Sequence, residues 1–445
     1  MRAGQNEQRA LGFWACSALV VGNTIGMGIF LLPVALAPYG LNALSAWGVT
    51  ILGCTLVAGV FARLARSFPQ DDGPYGYVQR AFGEGVAFMV LWCYWISVWL
   101  TNATLAVGIV SYLTILVPAL GASSWLSAPI ALAVLWIFVL INLRGIRTAA
   151  WVQMVITALK LVPQFAILLL GAWQLAVHPA VYAAHVPANP ASLHEVMAAS
   201  AIALFAMLGV ECATIPAGKV RDPARTIPLA TIVGTLMTGL VYLGISAVAI
   251  FLIPQRELAA SSAPFADLFG RFLGAQYGQL VGAFVIVSAI GCLNGWTLIA
   301  GELTQTFAAR GRLPRILARA NSRAAPAHAL VLTGVLASVM LLMSYSGSLA
   351  GAFTFLSIVV AAACLPLYFA CSLAVLVLRR RGAAGPSGLR TLLGPGVALL
   401  ATAYCVFVVV GMGAKPLFWA IALALAGAPF YLLSAFARRW QPEVR

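Results

Sequence analysis

From Leu11 onward the chain repeats one pattern, an apolar stretch followed by a short polar loop. A helix needs about 20 apolar residues to cross the hydrocarbon core of a bilayer. Stretches of that kind fall at 11–36, 42–65, 86–116, 127–142, 149–175, 194–217, 228–253, 279–309, 328–346, 350–378, 391–411 and 416–436. The pattern predicts an all-α membrane protein of twelve transmembrane helices. The fourth span is short and the third and eighth are long, which tilt or extension beyond the bilayer accommodates. Composition agrees: 62% of residues are hydrophobic and 8% charged, against about 25% charged in soluble domains. The mean hydropathy is +0.98. No water-soluble fold covers that much apolar surface.

The net charge of +15 would point to nucleic acid in a soluble protein. Its placement excludes that reading. With the N-terminus inside, 22 of the 26 Lys and Arg residues fall in inner loops, from Arg2 and Arg9 to Arg445. Only Arg256, Arg271 and Lys415 fall outside, and Lys160 lies within a span. That asymmetry sets orientation by the positive-inside rule. It predicts a multi-pass protein of the cell inner (cytoplasmic) membrane with both termini cytoplasmic. The basic loops also suit anionic membrane lipid.

The first apolar stretch is too long for a signal-peptide core, and no small-residue cleavage site follows it, so the first helix is expected to be retained. All eight cysteines lie in apolar segments without CxxC or Cys/His spacing. They read as small buried hydrophobes, and no metal or other cofactor is expected. The outer segment 254–278 has room for a short surface helix, and 310–327 reads as interfacial.

Two spans carry interruptions. In the first, Val21-Gly22-Asn23-Thr24-Ile25-Gly26-Met27-Gly28 holds three glycines within seven residues, each costing about 1 kcal/mol relative to alanine in a helix. In the sixth, Phe205-Ala206-Met207-Leu208-Gly209-Val210-Glu211 sets a glycine and a carboxylate in an apolar run, with Pro216 a turn later. Close small-residue packing between helices is one explanation of the first. Unwound backbone lining a cavity is the other. Interrupted helices at corresponding places in two halves point to a transporter binding site. Half-helix N-termini hold an anion, and opposed carbonyls can hold an ammonium. One α-amino acid supplies both.

The stretch from Gly22 to Pro33 resembles the first-helix signature of the amino acid–polyamine–organocation transporters. Asp72-Gly73-Pro74-Tyr75-Gly76-Tyr77, ending in Ala81-Phe82-Gly83, is similar to their loop after helix two, with Asp72 in place of a glycine. Arg221-Asp222-Pro223-Ala224-Arg225-Thr226-Ile227-Pro228 is similar to the loop after helix six. The resemblance is strongest to the basic amino-acid and polyamine antiporters, of the arginine/agmatine kind. It implies a five-plus-five inverted repeat, 11–175 and 194–378, with helices 391–436 outside it and often at a homodimer interface.

The resemblance also implies a site. Around Thr24, the backbone N–H groups of Gly26, Met27 and Gly28 would bind the substrate carboxylate. Phe205, Ala206 and Leu208 would offer carbonyls to the α-ammonium, with Phe205 as an aromatic lid. Trp296 would stack on the distal cation, and Asn102, Ser97, Val98 and Ser357 would wall the pocket. Tyr94 and Glu211 would couple gate and pocket. Met27 and Phe205 replace a serine and a tryptophan of the arginine-exchanging members. Lys160 falls where some proton-coupled or sodium-independent members carry a lysine between helices one and eight.

The residues themselves support part of this. An intramembrane charge is costly and defaults to a functional hypothesis. Glu211 reads as a proton or substrate sensor, or as a tether for local amides. Lys160 is about 16 Å from Ala149 at 1.5 Å per residue, too deep for easy snorkelling. Glu302 reads as structural, facing an inner vestibule or pairing with a loop arginine. Trp296 lies mid-span, away from the interfacial belts where tryptophans gather. Its face binds a cation or an apolar side chain equally. Exchange of a cationic amino acid or amine is therefore the leading expectation, with a small-molecule substrate and protons as partners. Proton-coupled uptake of neutral amino acids stays open. No filter-like repeat favours a channel, and the scattered histidines His178, His185, His194 and His328 favour no enzyme.

Overall fold

The structure is a computed structural model. It describes the chain from Phe13 to Leu432 except for 15–16, 18–20, 22–23, 69–72, 123, 145–158, 188, 212–222, 323–324, 345–347 and 383–392. Gly22, Asn23, Asp72, Pro216, Arg221 and Asp222 lie outside the described residues.

The described residues form helices joined by short turns: α1 Gly28–Leu36, α2 Leu41–Ser67, α3 Gly73–Phe82, α4 Glu84–Leu113, α5 Ser124–Leu143, α6 Val162–Val177 and α7 Leu193–Ala206. There follow α8 Pro223–Leu252, α9 Gln255–Ala260, α10 Pro264–Leu273, α11 Ala275–Ala309, α12 Ala327–Ser344, α13 Leu349–Arg380, α14 Leu393–Gly411 and α15 Ala414–Leu425. Among the described residues nine helices are long and apolar enough to cross a membrane, and three shorter apolar ones span Gly28–Tyr39, Val162–Val177 and Leu193–Ala206. The shorter three fall in the first, fifth and sixth expected spans, where breaks interrupt the helix or the described residues stop. The protein is thus an all-α, multi-pass membrane protein.

Helix α4 is the central post. It is buried along nearly its whole length and packs against α11 and α13. Many polar groups inside the bundle find partners at short range, as hydrocarbon favours. The hydroxyls of Thr101, Thr231 and Thr297 donate to carbonyls one turn back. Trp95 donates to Thr304 Oγ1 at 2.6 Å, and Asn142 to Asn294 Oδ1 at 3.1 Å.

Two ends of the bundle can be told apart. At one, Arg310 lies over the Tyr75 ring, Arg312 pairs with Glu84, and Asn321 donates to the Leu143 carbonyl. This is the basic end. At the other, Asn42 donates to Glu195 and Pro190, Gln255 to the Ala37 carbonyl, and Ser111 to the Ser262 carbonyl. There α10 turns the apolar residues Phe265, Ala266, Leu268 and Phe269 inward, so the segment 254–278 does hold short helices.

Candidate functional site

The first break is a departure from helix over Ile25–Met27. The Ile25 N–H still donates to the Val21 carbonyl at 2.9 Å, and helix resumes at Gly28. A helix end leaves carbonyls without intrahelical donors. Side chains from one other helix and one turn supply them. Tyr242 Oη donates to the Thr24 carbonyl at 2.8 Å, and the buried Lys160 Nζ reaches the Ile25 carbonyl at 3.4 Å. Farther along, Tyr112 Oη holds the Phe30 carbonyl at 3.0 Å. Lys160 sits in a turn just before α6, which carries Pro163 in its first turn. The N-cap of α1 is Met27, whose side chain makes no capping bond. The positive end of the α1 dipole is therefore left for another acceptor.

The second break begins where α7 ends at Ala206. Ser192 caps the start of that helix by accepting from the Glu195 N–H at 3.3 Å, in the Ser-x-x-Glu pattern of a capping box. Its far end closes with Met207 N–H on the Leu204 carbonyl and Leu208 N–H on the Phe205 carbonyl. Gly209 then adopts φ +109°, a conformation costly for any residue with a Cβ. The Phe205 carbonyl is thereby engaged within the turn.

The two breaks meet. A Cβ added at Gly28 would touch Ala206 and Phe205, and one at Gly26 would overlap the Cys292 sulfur. Between them lies a cavity of about 20 Å³ lined by Thr24, Gly26, Met27, Gly28, Thr101, Leu105, Phe205, Ala206, Leu208, Cys292 and Trp296. Phe205 closes over it, edge to face with Phe353 at 5.8 Å between centroids.

Eight of the residues singled out from the sequence line this cavity. Ser97, Val98, Asn102 and Ser357 do not. The hydroxyls of Ser97 and Ser357 turn back onto the Tyr94 and Phe353 carbonyls, both at 2.7 Å. Asn102 is buried nearby with its Oδ1 unpartnered. Thr101, Leu105 and Cys292 line the cavity without having been singled out. Their helical spacing was readable, since Cys292 lies four residues before Trp296 and Thr101 adjoins Asn102.

Just past the second break one carboxylate gathers three donors. The fully buried Glu211 accepts from Tyr94 Oη at 2.9 Å, Tyr368 Oη at 2.7 Å and the Gly209 N–H at 3.3 Å. Tyr368 escaped the sequence reading because nothing local marks one tyrosine in an apolar helix. Glu211 tethers a break amide and also joins α4 to α13. Beyond it opens a vestibule of about 330 Å³ that includes Tyr94, Glu211 and Glu302 in its wall. Among the described residues no group of three or more His, Cys, Asp or Glu is placed to hold a metal ion.

The profile of the amino acid permease family matches residues 11–427. The chain belongs to the amino acid–polyamine–organocation transporter family. It is a secondary transporter and not an enzyme. A cadaverine/lysine antiporter of Escherichia coli is 32% identical over 355 residues, covering 78% of each chain. An arginine/ornithine antiporter of Pseudomonas aeruginosa is 30% identical, over 77% of this chain and 72% of its own. A putrescine transporter of Escherichia coli is 28% identical, over 79% and 80%.

Proposed function

We propose that the protein exchanges a cationic amino acid for a cationic amine across the inner membrane by alternating access. The observation that carries this reading is the cavity between the two breaks, with an uncapped helix N-terminus at one wall and Trp296 at another. The α1 N-terminus suits an α-carboxylate. The Trp296 face suits a distal ammonium or guanidinium. The names of the relatives, each concerned with a basic amino acid, a diamine or both, favour the same substrate class.

Sites for small molecules usually measure about 300–1,000 Å³, so a cavity of about 20 Å³ must widen to admit one. Phe205 and the two half-helix ends are the parts that would move. The twelve-span, five-plus-five inverted-repeat arrangement supplies two halves able to rock about that site. In this reading both termini and the basic end face the cytoplasm, and protons act through Glu211. Helices α14 and α15, whose outer faces are largely apolar and exposed, contact lipid or a second copy. Lys160 serves as a fixed cation beside the first break, where a sodium ion would otherwise satisfy carbonyls.

The test is counterflow in liposomes. Vesicles loaded with unlabelled lysine, arginine, ornithine, cadaverine or putrescine are presented with each labelled compound, with and without a pH gradient. Uptake that needs a cationic internal substrate supports exchange. Gradient-driven uptake of neutral amino acids into empty vesicles would replace this reading with symport.

A further inference from the structure

Helices α12, α13 and α15 enclose a cavity of about 260 Å³. Helix α12 starts beside the Asn321 turn at the basic end, and its 18 residues carry Ser344 about 27 Å away at 1.5 Å per residue. The cavity therefore lies at the end opposite the basic loops. Its wall is graded with depth. Each helix supplies one residue at the rim and one a turn deeper: Ser344 and Met340 from α12, Gly351 and Phe355 from α13, Lys415 and Trp419 from α15. The rim is small, polar or charged, and the floor is apolar or aromatic.

The charge at this rim is positive and has no carboxylate set against it. Helix α12 ends at Ser344 and α13 begins at Leu349, so a negative and a positive dipole end meet and offset each other. The charge that remains is that of Lys415, whose ammonium lies 5.4 Å from the centroid of the Phe355 ring. Among the described residues no acidic side chain lines the cavity. The carboxylates of Glu195, Glu257 and Asp267, at the same end, are engaged by Asn42, Arg271 and Ser261. Tryptophans placed like Trp419, one turn inside a helix end, sit at the level of lipid headgroups. Met343 also lines the cavity and is 53% exposed, which continues the apolar floor toward the bilayer. A cation over an apolar floor that opens sideways is the complement of an anion carried on a hydrocarbon body.

We propose that this cavity binds the headgroup of an anionic phospholipid, with its phosphate on Lys415 and its chains passing Trp419 and Met343 into the bilayer. The site touches the transport machinery through α13. Phe353 lies between the wall residues Gly351 and Phe355, and its ring meets Phe205 edge to face at 5.8 Å. A lipid held at the cavity steadies the turn that backs the Phe205 lid. That consequence rests on the reading of the central cavity as the substrate site; the binding of lipid does not.

The experiment uses the purified full chain with phosphatidylglycerol, and with phosphatidylcholine and inorganic phosphate for comparison. Native mass spectrometry reads bound lipid and oligomeric state together. Wild type should prefer phosphatidylglycerol to phosphatidylcholine about fivefold, the contribution of one lysine near a lipid surface. Lys415→Gln should erase the preference and Lys415→Arg should keep it. In counterflow, wild type should exchange lysine severalfold faster in vesicles containing phosphatidylglycerol than in phosphatidylcholine alone, and Lys415→Gln should run at the slower rate in both. A preference that survives in Lys415→Gln overturns the site. Displacement of the lipid by excess inorganic phosphate overturns it in favour of a free-ion site. Loss of a dimer in Lys415→Gln at unchanged lipid preference overturns it in favour of an interface between copies. A lysine-dependent preference without any effect on exchange upholds the site and overturns its link to the lid. Wild type that exchanges no cationic substrate in any vesicle rejects the functional reading, while the lipid measurement still decides the site.

Discussion

The ammonium of Lys160 lies 3.4 Å from the carbonyl oxygen of Ile25, at the point where the first half-helix stops. One buried side chain thus supplies a donor to a carbonyl of the break. Lys160→Met keeps the bulk and removes the donor. An unsatisfied buried carbonyl costs about 1–3 kcal/mol, so the break should lose its fixed geometry while the surrounding helices persist. Exchange is expected to fall at least tenfold at unchanged membrane abundance, measured by counterflow against immunoblot. A rate equal to wild type would remove Lys160 from the mechanism.

Gly26 is confined by Cys292. A Cβ there would overlap the thiol sulfur, so Gly26→Ala should abolish substrate binding. Cys292→Ala deletes that sulfur and should restore part of the binding in the double variant. Equilibrium binding of labelled lysine to purified protein reads both effects, and a Gly26→Ala protein that binds normally contradicts the proposed site.

The Cys292 thiol lines the central cavity, which makes it a reporter. A small thiol reagent should inactivate exchange, and saturating lysine or cadaverine should slow that inactivation several-fold. Cys292→Ala should be resistant. Inactivation that substrate does not slow would place the reagent elsewhere.

Tyr94 and Tyr368 hold the two oxygens of one carboxylate, Glu211. Tyr94→Phe and Tyr368→Phe each remove one bond of the seal between cavity and vestibule. Groups sharing a partner rarely act independently. The double variant is therefore expected to lose less than the sum of the single losses in exchange rate, with half-saturation changed less than twofold. Strict additivity in a double-mutant cycle would argue that the two tyrosines act separately.

Trp296→Leu removes the aromatic face from the cavity wall. Cation–π contacts contribute about 0.5–2 kcal/mol, so affinity for cationic substrates should drop up to about thirtyfold. Competition against labelled lysine measures it. An equal loss for a neutral amino acid of similar length would show packing and not charge at work.

Much of this was written along the chain. The apolar stretches announced the helices because hydropathy is a local property, and the glycines of 22–28 and Gly209 announced the breaks because helix weakening is local too. The roles expected of Ser97 and Ser357 fared differently. A hydroxyl on a helix can face a pocket or bond its own carbonyl one turn back, and both serines do the latter. Sequence spacing does not distinguish the two.

The sequence by itself therefore determined the solvent, the helical class and the two weak points at which backbone could open, since each depends on residues close together in the chain. Only the tertiary structure decided what answers those openings: Tyr242 and Lys160 for the carbonyls of the first break, and Tyr94 and Tyr368 for the carboxylate of the second. Those partners stand between 117 and 218 positions away, and a hydrogen bond depends on distance in space, which helix packing sets and sequence separation does not.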